Sequence, residues 1–171
     1  TQTQLIQHDL EGSDLSSHWR KPQFDAIVSF ETLEHLVDPV LVVQQFSQLL
    51  REDGFLICSV PNVLFEPRDE AGVPTNPYHK QLFNYRLLSQ LLTRSGFHIH
   101  YRLGQALSNL LFKRESQLLR HRTLQQRIGD YDNLHSPDVI RHLSYLLAYP
   151  TVEDAEGSYA MIVVARKVGH K

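Results

Sequence analysis

The sequence predicts an α/β domain built on a mostly parallel sheet with flanking helices, and three features carry that prediction. Two short apolar runs, FDAIVSF at 24–30 and FLICSVP at 55–61, flank a helical pattern that begins at Pro39. The links between them are short, so strand, helix and strand form one βαβ unit with a right-handed crossover and parallel strands. Both runs are nearly continuous in apolar residues, as in strands covered on two faces.

The elements follow in chain order. Thr3–His8 reads as a short strand ended by Asp9, and EGSDLSSHWRKPQ as a loop rich in turn formers. After the strand that ends at Phe30, Asp38 can cap a helix and Pro39 suits its first position. Val42, Val43, Phe46, Leu49 and Leu50 recur at helical spacing and predict one buried face. Gly54 is expected to stop this helix in the left-handed conformation. Phe55–Val60 is the next buried strand, closed by Pro61. Residues 61–83, with Pro61, Pro67, Gly72, Pro74 and Pro77, read as a long loop. Such a loop in a compact domain is expected to serve a function. Asn84 is placed to cap a helix carrying Leu87, Leu88, Leu91 and Leu92, with Gly96 as its stop. FHIHYRL alternates apolar and polar residues, as an edge strand does. Residues 105–148 predict a helical insertion, because leucines recur there at threes and fours, and SYAMIVVARK is the last strand. The tally is a single domain over 1–171 with about five strands.

At 171 residues the chain can bury a real core. A formal charge of −2 argues against a nucleic-acid coat or a membrane-surface binder. No apolar run approaches the roughly 20 residues that span a bilayer. The single cysteine, Cys58, rules out an internal disulfide and a Cys-rich zinc site. It fits a reducing compartment, so a cytoplasmic location is expected, and its apolar surroundings predict a packing role. The first residues are neither basic nor followed by an apolar signal core, and the chain does not begin with methionine. A trimmed chain or a piece of a longer one is therefore expected.

Ligands of α/β sheets bind at the carboxyl ends of the strands. Asp9, Glu31, Pro61 with Asn62, and the loop to His79 all follow such ends. Glu31, Glu34 and His35 stand at i, i+3 and i+4, and share one face if the chain turns helically after Phe30. Two carboxylates brought together repel unless a positive charge sits between them. A divalent cation is one solution, and oxygen donors with an imidazole suit Mg²⁺, Mn²⁺ or Fe²⁺. The alternative is that the carboxylates favour the local dipole and face water, while His35 packs against the sheet edge. The residues alone leave both open.

The segments HDLEG, FDAIVSFETLEHLVDPVLVVQQFSQLLREDGFLICSVPN and NPYHKQLFNYRLLSQLLTRSGF together resemble the latter part of a class I S-adenosylmethionine-dependent methyltransferase. The resemblance covers residues 4–103, with Tyr159–Lys167 as the last strand. It implies a Rossmann-like fold, S-adenosylmethionine as cofactor, and O-methyl transfer to a small-molecule or sugar hydroxyl. Asp9 would bond the adenine amino group and Leu10 lie against the ring, while Phe30 and Glu31 would pass beside the methionine part. A turn acid beside Gly12 is the plainer role for Asp9. Within the superfamily, Glu31, Glu34 and His35 are similar to a pattern in ubiquinone-pathway O-methyltransferases and in small-RNA 3′-terminal 2′-O-methyltransferases. In the latter the metal takes a further histidine from a segment that YHKQLFNYRLL resembles. The implied metal set is Glu31, Glu34, His35 and His79, holding Mg²⁺ or Mn²⁺. Without a metal, His79 is expected to act as general base; its plainer role is a loop histidine bonded to backbone.

The sequence departs from that family in one respect. None of its eight glycines falls in a G-x-G spacing, and the acid that holds the ribose has no counterpart. The fold is thus expected to be incomplete at the N-terminus, lacking the family's first two strands and leaving Thr3–His8 without a neighbour. A piece of a longer enzyme is the favoured explanation, followed by pairing with another copy or a second chain that completes the sheet, and then by a degenerate remnant. The chain alone is expected to bind S-adenosylmethionine weakly or not at all. The rival from another class is a non-catalytic methyltransferase-like scaffold that meets its partner through residues 105–148. Arg102, Lys113, Arg114, Arg120, Arg122 and Arg127 offer either a phosphate-binding face or, as expected here, a solvated face with stems on the core.

Overall fold

The structure, a computed structural model, describes residues 3–19, 22–105 and 155–169. Its elements are β1 (Phe24–Phe30), α1 (Pro39–Leu49), β2 (Leu50–Pro61), α2 (Tyr85–Arg94), β3 (Phe97–Gln105) and β4 (Ala160–Lys167), with 3₁₀ turns at Leu15–Ser17, Leu33–His35 and Val63–Phe65.

Helix α1 starts where the sequence places it. Pro39 occupies the first turn, and the Asp38 carboxylate accepts the Leu41 N–H at 3.0 Å. Val42, Val43, Phe46 and Leu49 are buried. The stop differs from expectation. The helix ends at Leu49, and Leu50 is already extended and begins β2. Gly54 is not left-handed; that conformation falls on Asp53, at φ 64°. Gly54 sits in a tight place: a Cβ there would press on the Arg51 carbonyl at 3.0 Å and the Asp25 carbonyl at 3.2 Å. The crowding comes from a bulge: Phe24 pairs with Leu50, but Ala26 pairs with Phe55.

Helix α2 is capped by Asn84, which accepts the Leu87 N–H at 2.9 Å, and Gly96 follows it at φ +85°. Leu88, Leu91 and Leu92 are buried, with Tyr85 on the same stripe. Leu87 lies outside that stripe and is exposed, because the packed face runs through 85, 88 and 92.

The four strands lie in the order β1-β2-β4-β3. β1 and β2 are parallel, while β4 runs antiparallel to both β2 and β3. The described sheet is therefore mixed, with one parallel pairing, because β4 enters between β2 and β3 in the opposite sense. β3 is an edge strand, as its alternation predicts. Leu56, Cys58 and Val60 of β2 and Met161, Val163 and Ala165 of β4 alternate into one core with α1 and α2. Burial pushes the Cys58 thiol up to about 12, as for an inert packing residue.

Two strand expectations give way to the topology. Residues 3–9 form no strand, since no described strand lies beside them to complete a ladder. β1 is not covered on both faces: it is an edge of the described sheet, and Val28 and Phe30 are more than half exposed. The predicted helical insertion lies outside the described residues beyond Gln105, which ends β3. The basic residues from Lys113 to Arg127 lie outside them as well, but Arg102 is on β3, its guanidinium 4.1 Å from the centre of the Tyr85 ring. Among the described residues no helix is long and apolar enough to cross a membrane.

Candidate functional site

Because β1 and β2 are parallel neighbours, their carboxyl ends lie side by side at Phe30–Glu31 and Pro61–Asn62. The chain leaves β1 abruptly. Glu31 is left-handed at φ 48°, a conformation that costs a residue with a Cβ about 1–2 kcal/mol. Contacts to β2 hold it there. The Glu31 N–H donates to the Ser59 carbonyl at 3.1 Å, and the Ser59 hydroxyl donates to the Glu31 carboxylate at 2.7 Å. The 3₁₀ turn at Leu33–His35 follows, with Leu33 and Glu34 fully packed.

This geometry divides the acidic turn. Glu31 stays with Ser59, whereas Glu34 and His35 turn toward the loop carrying His79. One donor atom from each of Glu34, His35 and His79 lies within 4.8 Å of the others. The rings of His35 and His79 meet edge-on, with centroids 5.1 Å apart. The helical face expected for all three of Glu31, Glu34 and His35 does not form, because Glu31 is left-handed and the 3₁₀ turn starts only at Leu33.

Glu34 is the electrostatic centre of the group. Its residue is 2 % exposed, and Oε2 has no hydrogen-bond partner among the described residues. Burial raises its carboxyl above the ordinary carboxylate range, and the nearby Glu31 charge pushes the same way. His35 Nε2 lies 3.5 Å from Glu34 Oε1, while His35 Nδ1 donates to the Tyr78 carbonyl at 3.0 Å. The Glu34 carbonyl in turn accepts the Gln81 N–H at 3.0 Å.

Three participants escaped sequence reasoning. Glu66 meets His79 Nδ1 with both carboxylate oxygens, at 2.9 and 3.1 Å. Ser59 anchors Glu31. Glu11 accepts the Val37 N–H and, at 3.2 Å, the Lys80 ammonium; the Val37 amide first, and then Lys80, hold its carboxyl below the usual range. Glu11 thereby ties the Asp9 turn to the residue after His79. The only advance signal was a long loop carrying several polar residues.

At the proposed cofactor positions the structure is mixed. Asp9 uses Oδ1 to accept the Glu11 N–H at 3.0 Å, the turn role weighed for it, and its residue is exposed. Leu10 is partly buried and packs against the core. Phe30 is 53 % exposed at the strand end.

With this geometry in place, the comparisons converge. Residues 2–102 match the family described as "Methyltransferase domain", more than half of the chain, and the chain belongs to that family. A probable S-adenosylmethionine-dependent methyltransferase of Mycolicibacterium smegmatis is 35% identical over 81 residues, covering 47% of this chain and 31% of the relative. One of Mycobacterium tuberculosis is 36% identical over 74 residues, covering 43% of this chain and 26% of its own. A crystal structure of a SAM-dependent methyltransferase from Thermotoga maritima superposes with a TM-score of 0.55 at 13% identity. It covers 86% of this chain and 57% of its own, and shows the fold. The matches thus span about a third or less of the curated mycobacterial relatives. The family is one of methyltransferases, the relatives are named as S-adenosylmethionine-dependent, and the α/β fold is that of such methyltransferases.

Proposed function

We propose that this chain forms the acceptor side, and one flank of the cofactor site, of a methyltransferase acting on a small-molecule or sugar hydroxyl. The observation that carries this reading is the convergence of Glu34, His35 and His79 beside the carboxyl ends of two parallel strands. The residues that would hold S-adenosylmethionine are Asp9, Leu10, Phe30 and Glu31. They fit one flank of it: Asp9 Oδ2 takes part in no hydrogen bond of the turn, and Phe30 offers an open aromatic face. When bound, the cofactor supplies a methyl group on a sulfonium, open to in-line displacement.

The chain's own task is the acceptor. A hydroxyl is a poor nucleophile until it loses its proton. His79 takes that proton at Nε2, since Nδ1 is engaged by Glu66. The buried Glu34 lies beside it.

A second reading uses the same side chains. Glu34, His35 and His79 fit a divalent cation of the Mg²⁺ or Mn²⁺ kind, because the buried Glu34 Oε2 is unpartnered among the described residues and both imidazoles are bonded through Nδ1. Glu31 would join only by leaving Ser59. When bound, such an ion would lower the pKa of a coordinated hydroxyl.

NMR titration of the ¹⁵N-labelled chain with S-adenosylhomocysteine tests the reading, because it detects weak binding. Amide shifts at Leu10, Phe30 and Glu31 are expected. Shifts confined to the opposite end of the sheet, around His98 and Arg166, would sink it.

A further inference from the structure

We infer that Glu66 is a positioning residue for His79: it fixes the ring in the Nδ1–H form and turns the Nε2 lone pair toward Glu34 and His35. The inference rests on His79 being the group that meets the acceptor, and it deepens that reading.

Chain folding creates the pair. Pro67 and Thr75 are joined by the Thr75 N–H and hydroxyl, both donating to the Pro67 carbonyl, and Arg68 bridges to Pro74. The loop between them turns on Asp69, whose carboxylate accepts the Ala71 and Val73 N–H groups. This hairpin-like fold returns the chain so that residues 66 and 79 meet. The Glu66 side chain is 3 % exposed and that of His79 14 %. A carboxylate at such depth is costly unless paired, and among the described residues its oxygens meet His79 Nδ1. Two oxygens facing one ring nitrogen suit the form in which that nitrogen carries the hydrogen. The other nitrogen is then a bare lone pair. His35 is arranged alike, with a backbone carbonyl in place of a carboxylate. Glu66 does not belong to the group formed by Glu34, His35 and His79, and it meets that group through the His79 ring.

The test is long-range ¹H–¹⁵N NMR of the chain labelled at histidine, with no cofactor or acceptor added. In the wild type, the neutral His79 ring is expected to carry its hydrogen on Nδ1. Glu66→Ala should shift it toward the Nε2–H form, and Glu66→Gln, whose amide oxygen still accepts, should restore Nδ1–H. An unchanged His35 signal, held by Tyr78, controls for folding. An Nε2–H ring in the wild type, or an Nδ1–H ring that survives Glu66→Ala, overturns the inference. In methyl-transfer assays, Glu66→Ala should lower kcat by about 10- to 100-fold with KM little changed. If the ring form follows Glu66 while His79→Ala leaves transfer intact, the positioning role stands and the acceptor reading fails.

Discussion

Ser59 and Glu31 hold each other across two parallel strands. The Ser59 hydroxyl donates to the Glu31 carboxylate at 2.7 Å, while the Glu31 amide donates to the Ser59 carbonyl at 3.1 Å. The pairing keeps Glu31 in a left-handed conformation and swings the following turn, with Glu34 and His35, toward His79.

Substitution at Glu31 can separate these effects. Glu31→Ala and Glu31→Gly both lose the serine bond, but only glycine adopts φ 48° freely. The glycine variant should be the more stable of the two by about 1 kcal/mol in urea unfolding. Equal stability would mean that the left-handed turn is not retained.

Glu34 sets a pH dependence whose sign follows from burial. Its folded pKa is raised, so the folded chain holds the proton more firmly than the unfolded chain. The stability from this group is complete below the ordinary carboxylate pKa and is lost as pH rises through the raised value. Glu34→Gln should therefore be more stable than wild type at neutral pH in the presence of chelator, with the gain fading in acid. A Gln variant that is less stable at every pH contradicts this account.

A bound cation would reverse that ranking. Mn²⁺ at about 100 times its dissociation constant adds about 2.7 kcal/mol to the form that binds it. Wild type should rise in Tm with Mn²⁺ and fall back with chelator, while Glu34→Gln and His79→Ala should not respond. No shift in the wild type would remove the metal reading and leave His79 as a base.

Two turn positions make a mirrored pair. Gly96 has φ +85°, and among the described residues only the Ser47 hydroxyl lies near its missing Cβ, at 3.8 Å, so Gly96→Ala should cost about 1 kcal/mol from backbone strain alone. Asp53 has φ 64° and an exposed pairing with Arg166, so Asp53→Gly should gain a few tenths to about 1 kcal/mol. Thermal melts of both variants check the opposite signs.

Much of this was legible in the residues because it is local. A cap needs a side chain and an amide three residues on, and Asp38 and Asn84 supply theirs. A terminating glycine needs only its own φ, as at Gly96. The apolar faces of α1 and α2 follow from helical period, apart from Leu87, which is exposed, and Leu50, which already belongs to β2. The family resemblance over 4–103 agrees closely with the matched span of 2–102. Exposure of β1 and the absence of a strand at 3–9 were not legible, because a strand's neighbours lie far away in sequence.

The sequence by itself determined the βαβ unit, its caps, and a polar rim containing Glu34, His35 and His79, since periodicity and turn chemistry act over a few residues. Tertiary structure alone decided which of those side chains meet. It drew Glu31 to Ser59, 28 residues away, and brought Glu66 to His79 through a folded loop. Such contacts depend on strand register and loop closure, and these are settled by packing between segments rather than by any residue's own preference.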